Sequence, residues 1–294
     1  VSFVEIEIAS QPECWRRAAE LAPSHAAVLP APGERVAVVG CGTSFYMAQA
    51  YAALREESGQ GETDAFAASE FPTRRRYDRV VALTRSGTTT EVLELLGRLR
   101  GTTPTVAITA DPGTPVMTVA DAVVVLDFAD EQSVVQTRFA TTLLTLLRAH
   151  LGLHTDAVAG DAERALAEPL PEGLVDCTQF TFLGSGWTAG LANEAALKMK
   201  EASLSWTESY AAMEYRHGPI SIATDSTATW MFGAAPDGLR EQLLETGARW
   251  VESDLDPLAD LVRVQRLAVA RATARGLDPD SPRHLTRSVV LADA

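Results

Sequence analysis

Short apolar runs alternate along the chain with longer stretches whose apolar positions fall three and four residues apart. "RVAVVG" (35–40) is a continuous apolar run ending in glycine, as a buried parallel strand reads. "TSFYMAQAYAALREESG" (43–59) follows as a helix with Gly59 as its C-cap. "TDAFAASEF" (63–71) and "RVVALT" (79–84) predict strands. A helix over about 89–100 carries Val92, Leu93, Leu95, Leu96 and Leu99 on helical spacings. "TVAITA" (105–110) and "AVVVLDF" (122–128) read as strands, with a short helix beginning in "PVMTVA" (115–120) between them. "RFATTLLTLLRAHLG" (138–152) predicts a long helix. Ahead of all these, "ECWRRAAELA" (13–22) is an amphipathic helix with Trp15, Ala18, Ala19 and Leu21 on one side. Strand and helix in alternation imply parallel strands joined by helical crossovers.

Residues 154–173, rich in Ala, Gly, Pro and acid, read as a connector with room for one helix. The pattern then restarts. "QFTFLGSGWTAGLANEAALKMKEASL" (179–204) is again strand, Gly-x-Gly turn and helix, and Gly184-Ser185-Gly186-Trp187 echoes Gly40-Cys41-Gly42-Thr43. Strands are expected in "STATWMFG" (226–233) and "RWV" (249–251), and helices near 237–247 and 258–275. The expected fold is α/β: two similar three-layer α/β/α halves, each around a central parallel sheet, with the division between residues 155 and 156.

At 294 residues and 46% hydrophobic content, the chain can bury a sizeable core. Its net charge of -14 argues against nucleic acid as a partner, because phosphate backbones require basic patches. A small anion is still admissible, since a loop can be locally positive in an acidic protein. The three cysteines are far apart, with no CxxC, so a reducing cytoplasm is expected. No run approaches the roughly 20 apolar residues of a membrane span, so no membrane partner is expected. "VSFVEIEIAS" lacks a basic n-region and is not expected to be a signal peptide. His25, His150, His154, His217 and His284 show no metal-ligand spacing. No metal and no cofactor are expected.

Chemistry concentrates where strands hand over to helices. "LTRSGTTTEVLELL" (83–96) places hydroxyls at Thr84, Ser86, Thr88, Thr89 and Thr90 around Arg85 and Gly87. Such a turn in a parallel sheet collects main-chain N–H groups at the positive end of a helix dipole, at the carboxyl ends of the strands where sheet ligands gather. Gly42 and Gly87 would admit close backbone approach. Ser44, Ser86 and Thr89 would add donors, and Arg85 a charge. A helix cap needs only one such hydroxyl, so the cluster points to a phosphate-like ligand. There is no Walker A sequence and no GxGxxG, which argues against a nucleotide loop of those kinds. In "EAALKMKEAS" (194–203), Glu194, Lys198 and Glu201 share one helix face; the same spacing also suits a solvated ion-pair stripe. "EYRHGP" (214–219) sets His217 on a loop, because Gly-Pro follows it.

Taken together, these segments resemble one family. The chain looks like a double-SIS protein, the sugar-isomerase fold of the C-terminal half of glucosamine-6-phosphate synthase and of fructosamine deglycases. The matching pieces run in the family's order: "EIASQP" (7–12), "GCGTS" (40–44), "ASEF" (68–71), "RSGTTTEV" (85–92), "SVVQTRFATT" (133–142), "EAALKMKE" (194–201), "ESYAAMEYRHGP" (208–219) and "DPDSPRHLTRSVVL" (278–291). The resemblance implies two SIS-type, flavodoxin-like halves: an N-terminal helix plus first SIS domain over 1–155, then a connector, second SIS domain and C-terminal tail over 156–294. It implies that Gly42, Thr43, Ser44, Thr84, Arg85, Ser86, Gly87, Thr89 and Gln136 cradle a sugar phosphate. It assigns Glu201 the proton transfer between sugar C1 and C2, His217 ring opening in the partner subunit's site, and Lys198 a place beside them. A homodimer with a shared active site follows, acting on a small phosphosugar. The synthase's glutaminase half is expected to be absent, because the chain is short for it and Cys14 is not terminal. Two departures bear on the reaction. Arg287 stands where the synthase has a lysine that engages the sugar carbonyl, and Arg85 stands for its glutamine. Arginine stays protonated and forms Schiff bases poorly, so Arg287 is expected instead to hold an anionic part of the substrate. The resemblance therefore implies isomerisation or deglycation of a phosphorylated, possibly amino, sugar; the alternatives are an ammonia-dependent synthase and a sugar-phosphate-binding protein without catalysis.

Overall fold

A computed structural model describes residues 2–153 and 155–291. His154, and with it the His150/His154 spacing, lies outside the described residues. The first half opens on helices α1 (Phe3–Ala9) and α2 (Gln11–His25). Strand β1 (Val36–Gly40) feeds helix α3 (Thr43–Glu57), and strands β2 (Thr63–Ala67) and β3 (Arg79–Leu83) follow. Helix α4 (Thr90–Leu99), strand β4 (Thr105–Thr109), helix α5 (Val116–Val119), strand β5 (Ala122–Val125) and helix α6 (Arg138–His150) complete it. The five strands form one parallel sheet in the order β2-β1-β3-β4-β5. All five residues of β1 and of β4 are buried, as continuous apolar runs require.

The connector does hold a helix, α7 (Asp156–Ala167). The second half then runs β6 (Gln179–Gly184), α8 (Thr188–Ser203), β7 (Trp206–Ala211), β8 (Thr227–Phe232), α9 (Leu239–Glu245), β9 (Arg249–Val251) and α10 (Pro257–Ala274). Its sheet is parallel in the order β7-β6-β8-β9, the order of the first sheet without a fifth strand. The expected α/β architecture with two parallel sheets is therefore present.

Four elements depart from the sequence reading. Residues 63–71 are a strand only to Ala67, followed by a 3-10 turn over Ala68–Glu70. The strand expected over 122–128 ends at Val125 before a second such turn, Asp127–Ala129. Helix α1 and strand β7 lack the expected signatures. α1 is only two turns long, and Glu alternates with apolar residues; its sequence signal is the capping box of Ser2 and Glu5. β7 is an edge strand of mixed polarity, with Trp206 73% exposed, so it has no continuous apolar run.

One apolar core spans both halves, from Trp15 and Val38 through Phe139 to Phe180 and Leu261. α3 lies against α8 across the junction. A Cβ on Gly190 would stand 2.7 Å from the Ala50 nitrogen and the Tyr46 oxygen, so only glycine lets the two backbones approach this closely. The Arg148 guanidinium donates twice to Asp256, at 2.9 and 2.7 Å, tying α6 to the start of α10. Trp15 donates its indole N–H to Thr141 at 2.9 Å, fixing α2 on α6. Among the described residues no helix is long and apolar enough to cross a membrane, and no three His, Cys, Asp or Glu side chains group as metal ligands.

Candidate active site

At the carboxyl ends of β1 and β3 lies a cavity of about 170 Å³. Five segments meet there: the β1–α3 turn (Gly42, Thr43), the β3–α4 turn (Arg85, Thr89), the loop before α6 (Val134, Gln136), helix α8 (Lys198, Glu201) and the tail (Arg287). α8 comes from the second half, so the cavity exists only where the two halves join.

The β3–α4 turn is held open by its own hydroxyls. Thr84 Oγ1 accepts the Gly87 N–H at 3.2 Å, and Ser86 Oγ accepts the Thr88 N–H at 3.3 Å. Gly87 sits at φ +63, and a Cβ there would meet Thr114 Oγ1 at 2.0 Å. Thr84, Ser86 and Ser44 are buried and do not line the cavity, whereas Thr89 lines it at the N-terminus of α4 without bonding its own helix. The tail crosses this turn. Thr88 Oγ1 meets Ser288 Oγ at 2.8 Å, Thr90 N–H donates to the Val289 carbonyl at 3.2 Å, and the Leu291 N–H donates to Thr90 Oγ1 at 2.9 Å.

Arg85 is buried and bonded to the protein. It donates to the carbonyls of Ser133, Val134 and Arg287, each at 3.1 Å, and lies 3.5 Å from Glu131. It thus binds loop and tail to the turn, with its Nε left unpartnered. Arg287 donates to the Glu131 carbonyl and to the Asp130 carboxylate. Both guanidiniums are therefore matched by carboxylates within the chain, and neither is a free charge awaiting an anion. Gln136 is different: its Oε1 is buried at the cavity with no partner.

On α8 the three-residue face is no solvated stripe. Glu194 and Lys198 are 1% exposed. Lys198 Nζ lies 3.6 Å from Glu194 and donates to Glu201. Thr43, across the domain junction, donates to Glu194 Oε1 at 3.2 Å. Burial pushes the Glu194 carboxyl up to about 8, against the pull of Lys198, so it is neutral at pH 7. Burial pulls Lys198 down, but the two carboxylates outweigh it and hold it above its ordinary value, so it stays a cation. Glu201 alone of the three reaches outward, its side chain 19% exposed.

His217 ends a 3-10 turn, Glu214–His217, anchored by buried Tyr215; it is exposed and does not line this cavity. Other residues that shape the site were not singled out from sequence. Glu7, on α1, accepts from the Gln132 and Ser133 N–H groups and from Ser133 Oγ. Glu131 accepts from the Thr137 and Arg138 N–H groups and from Thr137 Oγ1. Each is a buried carboxylate bracing the loop that presents Val134 and Gln136. Their signal was an acid inside "EIASQP" and another just before "SVVQT", too weak without the fold.

Residues 31–151 match the family model described as SIS domain. The chain is 27% identical, over 98% of its own length and 59% of the relative's, to an isomerising glutamine–fructose-6-phosphate aminotransferase of Caulobacter vibrioides. It spans about half the length of the curated relatives it matches. Among solved structures, a glucosamine-6-phosphate deaminase of Thermotoga maritima superposes with a TM-score of 0.82 at 26% identity, covering 99% of this chain and 100% of that one. A tagatose-6-phosphate ketose/aldose isomerase of Escherichia coli shares the fold, with a TM-score of 0.80 at 18% identity over 99% and 96% of the two chains. Residues 31–151 are thus similar to SIS domains; over 98% of its length the chain is similar to an isomerising aminotransferase, and over 99% it shares the fold of a ketose/aldose isomerase.

Proposed function

We propose that the chain catalyses aldose–ketose isomerisation, or deglycation, of a phosphorylated sugar, amino sugars included, with Glu201 as the proton carrier. One observation carries this reading: an outward-reaching carboxylate on α8, held by a buried lysine, beside two hydroxyl-rich strand-to-helix turns. The similar proteins are an aminotransferase, a deaminase and an isomerase of sugar 6-phosphates, and these reactions share proton transfer next to a carbonyl carbon.

The phosphate would sit on the N–H groups and hydroxyls of the turns at 42–44 and 84–89, with Gln136 beside it. Neutral donors suit a dianion here, because both nearby guanidiniums are already paired. The open-chain sugar then places its α carbon under Glu201. Glu201 takes the proton, the C–H electron pair becomes the C=C bond, and the carbonyl oxygen becomes an enediol oxygen. The former carbonyl oxygen takes a proton from solvent as the enediol forms. The same carboxylate then returns its proton to that oxygen's carbon, while the hydroxyl on the first carbon gives its proton to solvent and becomes the new carbonyl. Lys198 keeps Glu201 oriented, and neutral Glu194 spares it a second negative neighbour. His217 of a partner subunit would open the sugar ring. Arg287 has no readily freed amine, which favours isomerisation over amination by ammonia.

Glu201→Gln keeps the shape and removes the base, so turnover should fall about 10²–10⁴-fold with binding retained. Deuterium at C2 of a suitable phosphosugar should wash into solvent with the natural chain and not with the variant. Exchange at an equal rate would leave Glu201 as the ion-pair partner of Lys198 alone. Efficient formation of glucosamine 6-phosphate from fructose 6-phosphate and ammonia would replace this reading with amination.

A further inference from the structure

A second concavity, about 490 Å³, opens at the other end of the first sheet. Its walls are the loop before β3, with Arg74, Arg75 and Arg76, and the last turn of α4, with Arg98. Tyr77 lies two residues before β3 and Thr103 two before β4, so this groove is at the amino ends of the strands. The catalytic cavity is at their carboxyl ends.

The charge here is unlike that of the rest of the molecule. Acidic residues outnumber basic ones 39 to 25 in the chain, yet no carboxylate lines the groove among the described residues. Among those residues Arg74, Arg76 and Arg98 form no ion pair, and Arg75 has one exposed contact, 3.4 Å to Asp64. The nearby acids are engaged elsewhere. Asp64 accepts from the Tyr77 hydroxyl at 2.6 Å, and Asp78 from the Arg35 N–H at 2.7 Å. Four guanidiniums gathered with only one exposed carboxylate contact among them repel one another, and a bound anion would relieve that cost.

We propose that this groove binds a small ligand carrying two or more linked phosphates, either an inorganic chain or a nucleoside di- or triphosphate. Guanidinium forks match phosphate oxygens two at a time, and several forks exceed what one phosphate can occupy. The volume falls in the range of small-ligand pockets, roughly 300–1,000 Å³. Leu95, Leu99 and Phe71 supply an apolar wall against which a nucleoside could lie. An acidic peptide would need a longer track than this enclosed set of residues offers. The long-range charge of -14 repels a nucleic acid.

Calorimetric titration of the full chain with tripolyphosphate, ADP and adenosine tests this. Tripolyphosphate and ADP should bind one to one at low ionic strength and weaken with added salt, and adenosine should not bind. Tighter binding of ADP would identify the nucleotide form; equal binding would identify the inorganic form. The four arginines are exposed, so Arg74→Gln with Arg98→Gln should leave the melting temperature unchanged. That variant should weaken oligophosphate binding at least ~10-fold. Ser86→Asp, which puts a carboxylate in the catalytic turn, should bind oligophosphate as the natural chain does. The proposal fails if the natural chain shows no saturable binding, or if the arginine variant binds undiminished. It also fails if Ser86→Asp abolishes binding, or if hexaglutamate binds more tightly than tripolyphosphate.

Discussion

Glu194 shows how burial changes what a residue does. Its spacing with Lys198 and Glu201 is that of an ordinary surface ion pair, but the packing of α3 on α8 seals it from water. A folded-state pKa of about 8 lies above the ordinary value of 4.5. Between those values the folded state holds a proton that the unfolded state releases, so stability falls as pH rises through that window and levels off above it. Glu194→Gln removes that titration. Denaturant unfolding across pH 4.5 to 8 should show a shallower decline for the variant, other groups being unchanged; parallel curves would mean that Glu194 ionises normally. Because glutamine resembles the neutral acid, activity near pH 7 should be largely kept.

At the scale of elements, the cavity at the carboxyl ends of β1 and β3 depends on a loop with little structure of its own. Residues 131–136 are held by three charged residues from distant parts of the chain: Glu7 from α1, Arg85 from the β3–α4 turn and Arg287 from the tail. α1 is in turn capped by the tail, because Asp280 accepts from the Phe3 and Val4 N–H groups at 2.8 and 2.7 Å. Glu7→Ala would leave the Gln132 and Ser133 N–H groups without their acceptor. It should cost about 1–3 kcal/mol of stability and raise the KM for phosphosugar more than it lowers kcat, because Gln136 loses its support. Unfolding measurements and steady-state kinetics check this. Unaltered stability and KM would show that the loop stands without α1.

At the scale of the whole molecule, one chain brings Glu201 and the strand-to-helix turns to one cavity, and its exposed His217 does not line it. If the partner's site takes this histidine, subunits inactivated separately should complement each other. Glu201→Gln mixed with His217→Ala should regain activity after subunit exchange, since each mixed dimer then holds one site with both groups intact. Continued inactivity after verified exchange would place the two residues in one subunit's site, or leave His217 outside the chemistry.

Periodicity alone determined the alternation of strands and helices and the repeat of a Gly-x-Gly turn in each half. A buried parallel strand must be continuously apolar, and a covering helix must be apolar on one face. The hydroxyl turn at 84–90 was legible for a similar reason: so many short polar side chains at a strand end exceed what a helix cap uses. The edge strand β7 and the two-turn helix α1 were not legible, because a half-exposed or very short element leaves no long apolar pattern. Only the tertiary structure decided what the charges do. Arg85 and Arg287 read as anion ligands in sequence, but they hold loop and tail to one another. Glu7 and Glu131 brace that loop from positions 124 residues apart. Spacing along a chain reports which side chains share a face. Whether a charge meets water, a ligand or another charge depends on segments that only folding brings together.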